Sequence, residues 1–230
     1  MPRITRYTFQ FALIALLMLP LPALAIPAIT CHCFTDRSYE PGHPAAADPY
    51  FLATTQNSFF AQVFNIDKKS IVFKKQQGIS SDNLWIAYWV ASRSGAAPDS
   101  LLQAKQDNGT WPAALASLQI SPKTLGSRFS HGLAVRPSSA RLAETVVDEL
   151  FLHYHLLADT ELSALRKAGT SNQELIIATL VAARTRQPAR QIVLAVNNGS
   201  KTWGSLLAWA SIDPAKMQQE LARILNLQPL

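Results

Sequence analysis

Two thiols and an imidazole stand together at Cys31-His32-Cys33, and His43 follows ten residues after the second thiol. Thiolates and imidazoles are competent ligands for soft and borderline metals. The four residues therefore form a candidate metal site, with copper or zinc as the ion. The chain carries two cysteines, so the same pair also reads as a tight Cys31–Cys33 disulfide or as bonds to a partner chain. The spacing for covalent haem, Cys-x-x-Cys-His, is absent.

Elsewhere the chemistry-bearing residues have plainer readings. His153-Tyr-His155 resembles a chelate, but residues two apart on a helix diverge by more than a right angle. Glu149 with His153, and His155 with Asp159, share helix faces and read as surface or lobe-interface contacts. His131 has no motif around it. Lys68, Lys69, Lys74 and Lys75 read as the solvated side of a short amphipathic helix around Ile71 and Val72, with an anionic binding patch as the alternative. Trp85, Tyr88 and Trp89, with Trp111, Trp203 and Trp209, read as core. Asn108-Gly-Thr and Asn198-Gly-Ser match glycosylation acceptors, although helix ends explain the Asn-Gly pairs without a sugar. Gly-x-Ser-x-Gly, His-Glu-x-x-His, the P-loop and the dinucleotide glycine fingerprint are all missing, so a non-catalytic protein is favoured and a hydrolase is kept as an alternative.

The N-terminus predicts export. Arg3 and Arg6 precede an apolar run from Phe9 to Leu19, and Ala23-Leu24-Ala25 has the small residues of a cleavage site, so residues 1–25 read as a signal peptide. No later segment is both long and apolar enough to span a bilayer. The expected location is periplasmic or secreted, with no transmembrane segment after cleavage. The formal charge of +6 falls to +4 when the two leader arginines are removed, leaving 19 basic against 15 acidic residues. That modest excess, without a basic recognition helix, argues against nucleic acid.

What positions these residues is a repeated helical pattern. Gly78-Ile-Ser-Ser-Asp-Asn-Leu-Trp-Ile-Ala-Tyr-Trp-Val-Ala-Ser-Arg-Ser94 returns without a gap from Gly169 to Thr185, with eight of seventeen positions identical. Chance would give about one match. Downstream, Asn108-Gly109, Trp111, Leu115-Ala116 and Pro122 are echoed by Asn198-Gly199, Trp203, Leu207-Ala208 and Pro214. Gly78 and Gly169 read as left-handed helix ends, and Ser171-Asn-Gln-Glu174 as a capping box. Thr110 and Ser200 read as caps of the tryptophan-led helices. Ser121-Pro122, Asp213-Pro214 and Asp48-Pro49 read as further helix starts. No two-residue alternation persists, so the expected fold is all-α: a tandem duplication of a multi-helix unit forming two similar lobes.

The expected organisation is an irregular Cys-containing lead-in over 26–47, held against the first lobe. Repeat 1 spans 48–130, a linker 131–138 and repeat 2 139–230. The second repeat opens with a long helix from Ser139 to about Ala158, and Asp48, Phe51 and Leu52 are matched with Asp148, Phe151 and Leu152. The unit resembles one found in uncharacterised exported bacterial proteins, through Asn108-Gly109, Trp111, Leu115, Ala116 and Pro122 and their second-copy counterparts. The resemblance implies a packing signature and carries no established activity. The reading that follows is an exported, non-catalytic binding or scaffolding protein with a protein partner in the cell envelope. Its alternatives are a periplasmic metal or redox protein working through Cys31, His32 and Cys33, and a hydrolase. Positions present in one copy alone are the better places to seek activity, and the lead-in is the first of these.

Overall fold

Hydroxyl and carboxylate side chains start half of the described α-helices by accepting backbone N–H groups that the first turn leaves unpaired. Ser80 accepts from Asn83, Thr110 from Ala113, Ser138 from Arg141 and Asp67 from Lys69. Ser171 and Glu174 form the reciprocal capping box expected from sequence. Gly78 and Gly169 have φ of +89° and +83° and close their helices with paired backbone bonds, as their spacing predicts.

The structure, a computed structural model, describes residues 34–135 and 138–227. The helices are α1 (Asp48–Phe64), α2 (Lys68–Gln76), α3 (Ser81–Ser94), α4 (Pro98–Asn108), α5 (Trp111–Ser117) and α6 (Ser127–Ala134). They continue as α7 (Ser139–His153), α8 (Asp159–Lys167), α9 (Asn172–Thr185), α10 (Ala189–Asn197), α11 (Trp203–Trp209) and α12 (Met217–Ile224). Single 3₁₀ turns at Pro122–Thr124 and Pro214–Lys216 precede α6 and α12. The fold is all-helical, with no strand among the described residues. Nor is any described helix long and apolar enough to cross a membrane.

Several local expectations are revised. The second tryptophan-led helix is capped by Thr202, which accepts from Ser205; Ser200 instead donates to the Ala195 carbonyl. Asp213 caps its 3₁₀ turn through Ala215, whereas the Ser121 side chain makes no cap. Residues 131–134, read as linker, are the end of α6, because Phe129 and Leu133 at i, i+4 spacing bury one face where α6 packs on α7. Helix α7 stops at His153, since His155 turns left-handed and Leu156 closes back on Phe151. Asp48 opens its helix, whereas Asp148 lies deep inside α7, so the two do not hold equivalent places.

One hydrophobic cluster takes residues from both ends of the chain, including Phe51, Trp85, Leu142, Ile176 and Leu221. The two long helices cross over: α1 packs on α9, α11 and α12, while α7 packs on α3 and α6. Helix α1 is consequently buried on every side from Ala53 to Gln62, a stretch that includes Thr54, Thr55, Gln56, Asn57 and Ser58.

Asp48 shows how the crossing is held. Its carboxylate does not cap its own helix. It accepts the Gly204 and Trp203 N–H groups at 2.8 and 3.0 Å, stabilising the start of α11 from 155 residues away. Burial pushes its pKa up, and those two backbone bonds oppose the rise. A Cβ on Gly204 would lie 2.8 Å from Tyr39 and 3.0 Å from Phe51, so glycine is what lets the lead-in and α1 approach α11. The described part of the lead-in therefore touches α11 as well as α1, where Phe34 and Arg37 meet the Tyr50 ring. Asp48→Ala should cost about 1–2 kcal/mol, the usual worth of a helix cap. A thermal melt unchanged by the substitution would show that the bond adds no stability.

Candidate functional site

Helix α2 keeps Ile71 inward but also buries lysines that its sequence reading left to solvent. Ile71 is its inward anchor, 1% exposed. Helical geometry then sets Lys68 and Lys75 on the same stripe and turns Phe73, two residues on, away from the core. Phe73 is 60% exposed and Lys75 only 6%. Long lysine stems make this possible, since their methylenes pack while the amine seeks a partner. Lys75 Nζ donates to Asn57 Oδ1 at 2.5 Å, and Lys68 Nζ donates to Ser58 Oγ at 3.3 Å. Lys74 pairs with Asp99 of α4. Of the four lysines read as solvated, three thus point into the protein or across to α4.

Burial lowers the Lys75 pKa to about 8, and the nearby Asp82 carboxylate opposes that shift. Burial also lowers Lys68. Asp82 is raised by burial and by Glu144, with Lys75 pulling the other way. On α1, Asn57 Nδ2, whose own amide oxygen takes the Lys75 bond, and Gln62 Nε2 are buried without a hydrogen-bond partner among the described residues.

The outward side of α2 forms one wall of a groove of about 860 Å³, with α4 opposite and the turn into α3 between them. Phe73, Ile79 and Leu102 supply its apolar surface, and Gln77, Asn83, Gln103 and Gln106 supply amides. Asn83 is held by the Trp111 indole, which donates to its Oδ1 at 3.1 Å. Gln103 Nε2 donates to Asp107 at 2.8 Å. Lys105 donates to the Gly109 carbonyl at 2.6 Å. The Lys74–Asp99 ion pair ties the two walls together.

The residues singled out from sequence are dispersed. Cys31, His32 and Cys33 lie outside the described residues, and His43 is an exposed turn residue whose N–H bonds to the Glu40 carbonyl. No group of three metal-ligating side chains occurs among the described residues. Glu149 and Asp159 turn away from His153 and His155. Both accept from Arg128, one through its backbone N–H at 2.9 Å and the other through its guanidinium at 2.6 Å. His131, His153 and His155 are exposed. Asn108 Nδ2 donates to the Ala104 carbonyl and to Ser117, a helix-end role.

Trp85, Trp89, Trp111 and Trp203 are buried as expected, whereas Trp209 is 55% exposed. Sequence reasoning missed the groove because its amides belong to no motif. The available signal was that these positions differ between the two similar halves. No known protein family, curated protein or solved structure matches this chain.

Proposed function

We propose that the chain is an exported, non-catalytic helical binding protein, built by tandem duplication, whose α2–α4 groove is the binding surface. The element lengths support the duplication. Helices α2 and α8 have nine residues each, α3 and α9 fourteen, α5 and α11 seven, and α6 and α12 eight.

The observation that carries the binding reading is how the groove residues change between halves. With Gly78 aligned on Gly169 and Gly109 on Gly199, the second half has Leu165, Ala168, Ala189, Val193 and Val196 in place of Lys74, Gln77, Asp99, Gln103 and Gln106. Leu165, Ala189 and Val193 are buried, while Asp99, Gln77 and Gln103 are exposed. Phe73 is matched by Ala164. Residues kept in both copies serve the shared packing; a polar surface with an exposed ring, present in one copy alone, has a use beyond packing.

The test is complementation of a deletion strain. The double variant Phe73→Ala with Gln106→Ala should lose biological activity while melting like the parent protein. Cys31→Ser with Cys33→Ser should retain it. The opposite result moves the function to the lead-in and to the metal or redox reading. Copper and zinc analysis of the mature protein would then identify the ion. Cell fractionation with N-terminal sequencing checks export, with Ile26 expected as the first residue.

A further inference from the structure

Where α1 meets α2, hydrogen-bond donors outnumber acceptors, and two of the donors are charged. Lys75 is 6% exposed, and its side-chain bond goes to a neutral acceptor, Asn57 Oδ1. Lys68 reaches inward from the same stripe to the Ser58 hydroxyl, which is neutral too. Neither ammonium forms an ion pair with a carboxylate among the described residues. Asp82 acts on Lys75 from α3 through space, and Glu144 of α7 is paired with Arg141. With its pKa near 8, Lys75 is mostly charged at neutral pH, so a buried positive charge stands without a bonded counterpart.

The amides of α1 deepen the imbalance. Asn57 Nδ2 and Gln62 Nε2 are buried with no partner among the described residues, and each carries two N–H donors. The Asn57 amide also takes the Lys75 bond, so its NH₂ group and the ammonium stand side by side. Turning that amide over brings no relief, because Lys75 would then meet the NH₂ group. A water molecule accepts from these donors but adds two donors of its own and leaves the charge unbalanced. An anion accepts from both groups, donates nothing and supplies the missing charge. Residues 53–62 of α1 are buried on every side, which suits a single-atom ion over a phosphate or a carboxylate.

We propose that α1 and α2 hold a halide ion, with chloride as the biological case, between Lys75 Nζ and Asn57 Nδ2, and that Lys68 supplies the second positive charge. The ion fastens to α2 the helix that packs on α9, α11 and α12, so the whole fold gains from it.

Urea unfolding of the purified chain tests this, with sodium chloride replacing sodium gluconate at constant ionic strength. Chloride should lower the unfolding constant saturably by about tenfold, the linkage expected once it exceeds its dissociation constant about tenfold. Bromide should act in the same way. Lys75→Met should abolish the difference between the salts. Lys68→Met, at a half-buried position, should weaken chloride binding about tenfold, while Lys201→Met, at an exposed one, should leave it unchanged. The second readout is ³⁵Cl NMR, which does not depend on stability. The parent chain should broaden the chloride line, and Lys75→Met should remove that share of the broadening. If Lys75→Met does not fold, Lys68→Met carries both measurements. Equal stability in chloride and gluconate would reject the ion and leave the donors to internal water. A chloride effect retained by both lysine variants would place the ion elsewhere and overturn the site.

Discussion

Trp85→Ala is expected to lower the unfolding free energy by about 3–5 kcal/mol, the usual cost of removing a fully buried large aromatic side chain. Trp85 is 0% exposed and packs against Phe60, Phe64 and Phe59 with centroid separations of 4.5, 5.9 and 6.1 Å. Its indole N–H is buried without a partner, so Trp85→Phe removes a desolvated donor as well as some volume. That variant should therefore cost well under half as much. Trp111→Ala and Trp203→Ala belong to the same range, since each indole is 3% exposed. Trp111 differs in one respect: its N–H bonds to Asn83, so Trp111→Phe carries an added cost of about 1 kcal/mol from the stranded amide. Urea unfolding of the five variants checks the series. Equal losses for Trp85→Phe and Trp85→Ala would mean that the N–H is satisfied in solution.

The second large effect is a pH dependence traced to Lys75. Its pKa is lowered by burial to about 8 in the folded chain, against an ordinary value of 10.5. Between these values the unfolded chain binds the extra proton and the folded chain does not, so stability rises with pH from about 8 to about 10.5 and is lowest below that window. The full change is on the order of 3 kcal/mol at most. The charged neighbour that opposes it is Asp82 at the start of α3. Lys75→Met should remove this dependence, so the stability difference between parent and variant shrinks as pH rises through the window. Other titrating groups contribute equally to both proteins and cancel. A difference that stays constant from pH 7 to 10.5 would show that the amine is solvated in the folded protein.

Helix starts and stops were legible residue by residue. Ser80, Thr110 and Ser171 cap because a short oxygen side chain reaches its own helix's N–H groups, and Gly78 and Gly169 end helices because they take positive φ without strain. The burial of Trp111 and Trp203 followed from their periodic apolar surroundings in both halves. Where a second part of the chain competes for the same groups, local reading failed. Asp48 was read as a cap of α1 and instead caps α11; Glu149 and Asp159 were assigned to histidines and instead hold Arg128.

Helix α2 shows the division most clearly. By itself, Lys-Lys-Ser-Ile-Val-Phe-Lys-Lys determines a helix with one inward face, and hydropathy alone turns Phe73 toward the core. Buried Asn57 and Ser58 on α1, and Asp99 on α4, instead offer polar partners to the lysines. Caps, periodicity and positive φ are contained within a few consecutive residues, so the sequence determined the all-helical elements and their ends. Which face a helix buries, which carboxylate meets which donor and where a groove opens depend on what distant segments bring alongside. Only the packed chain decides those, because hydrogen-bond partners and desolvation are properties of the assembled neighbourhood and not of any one segment.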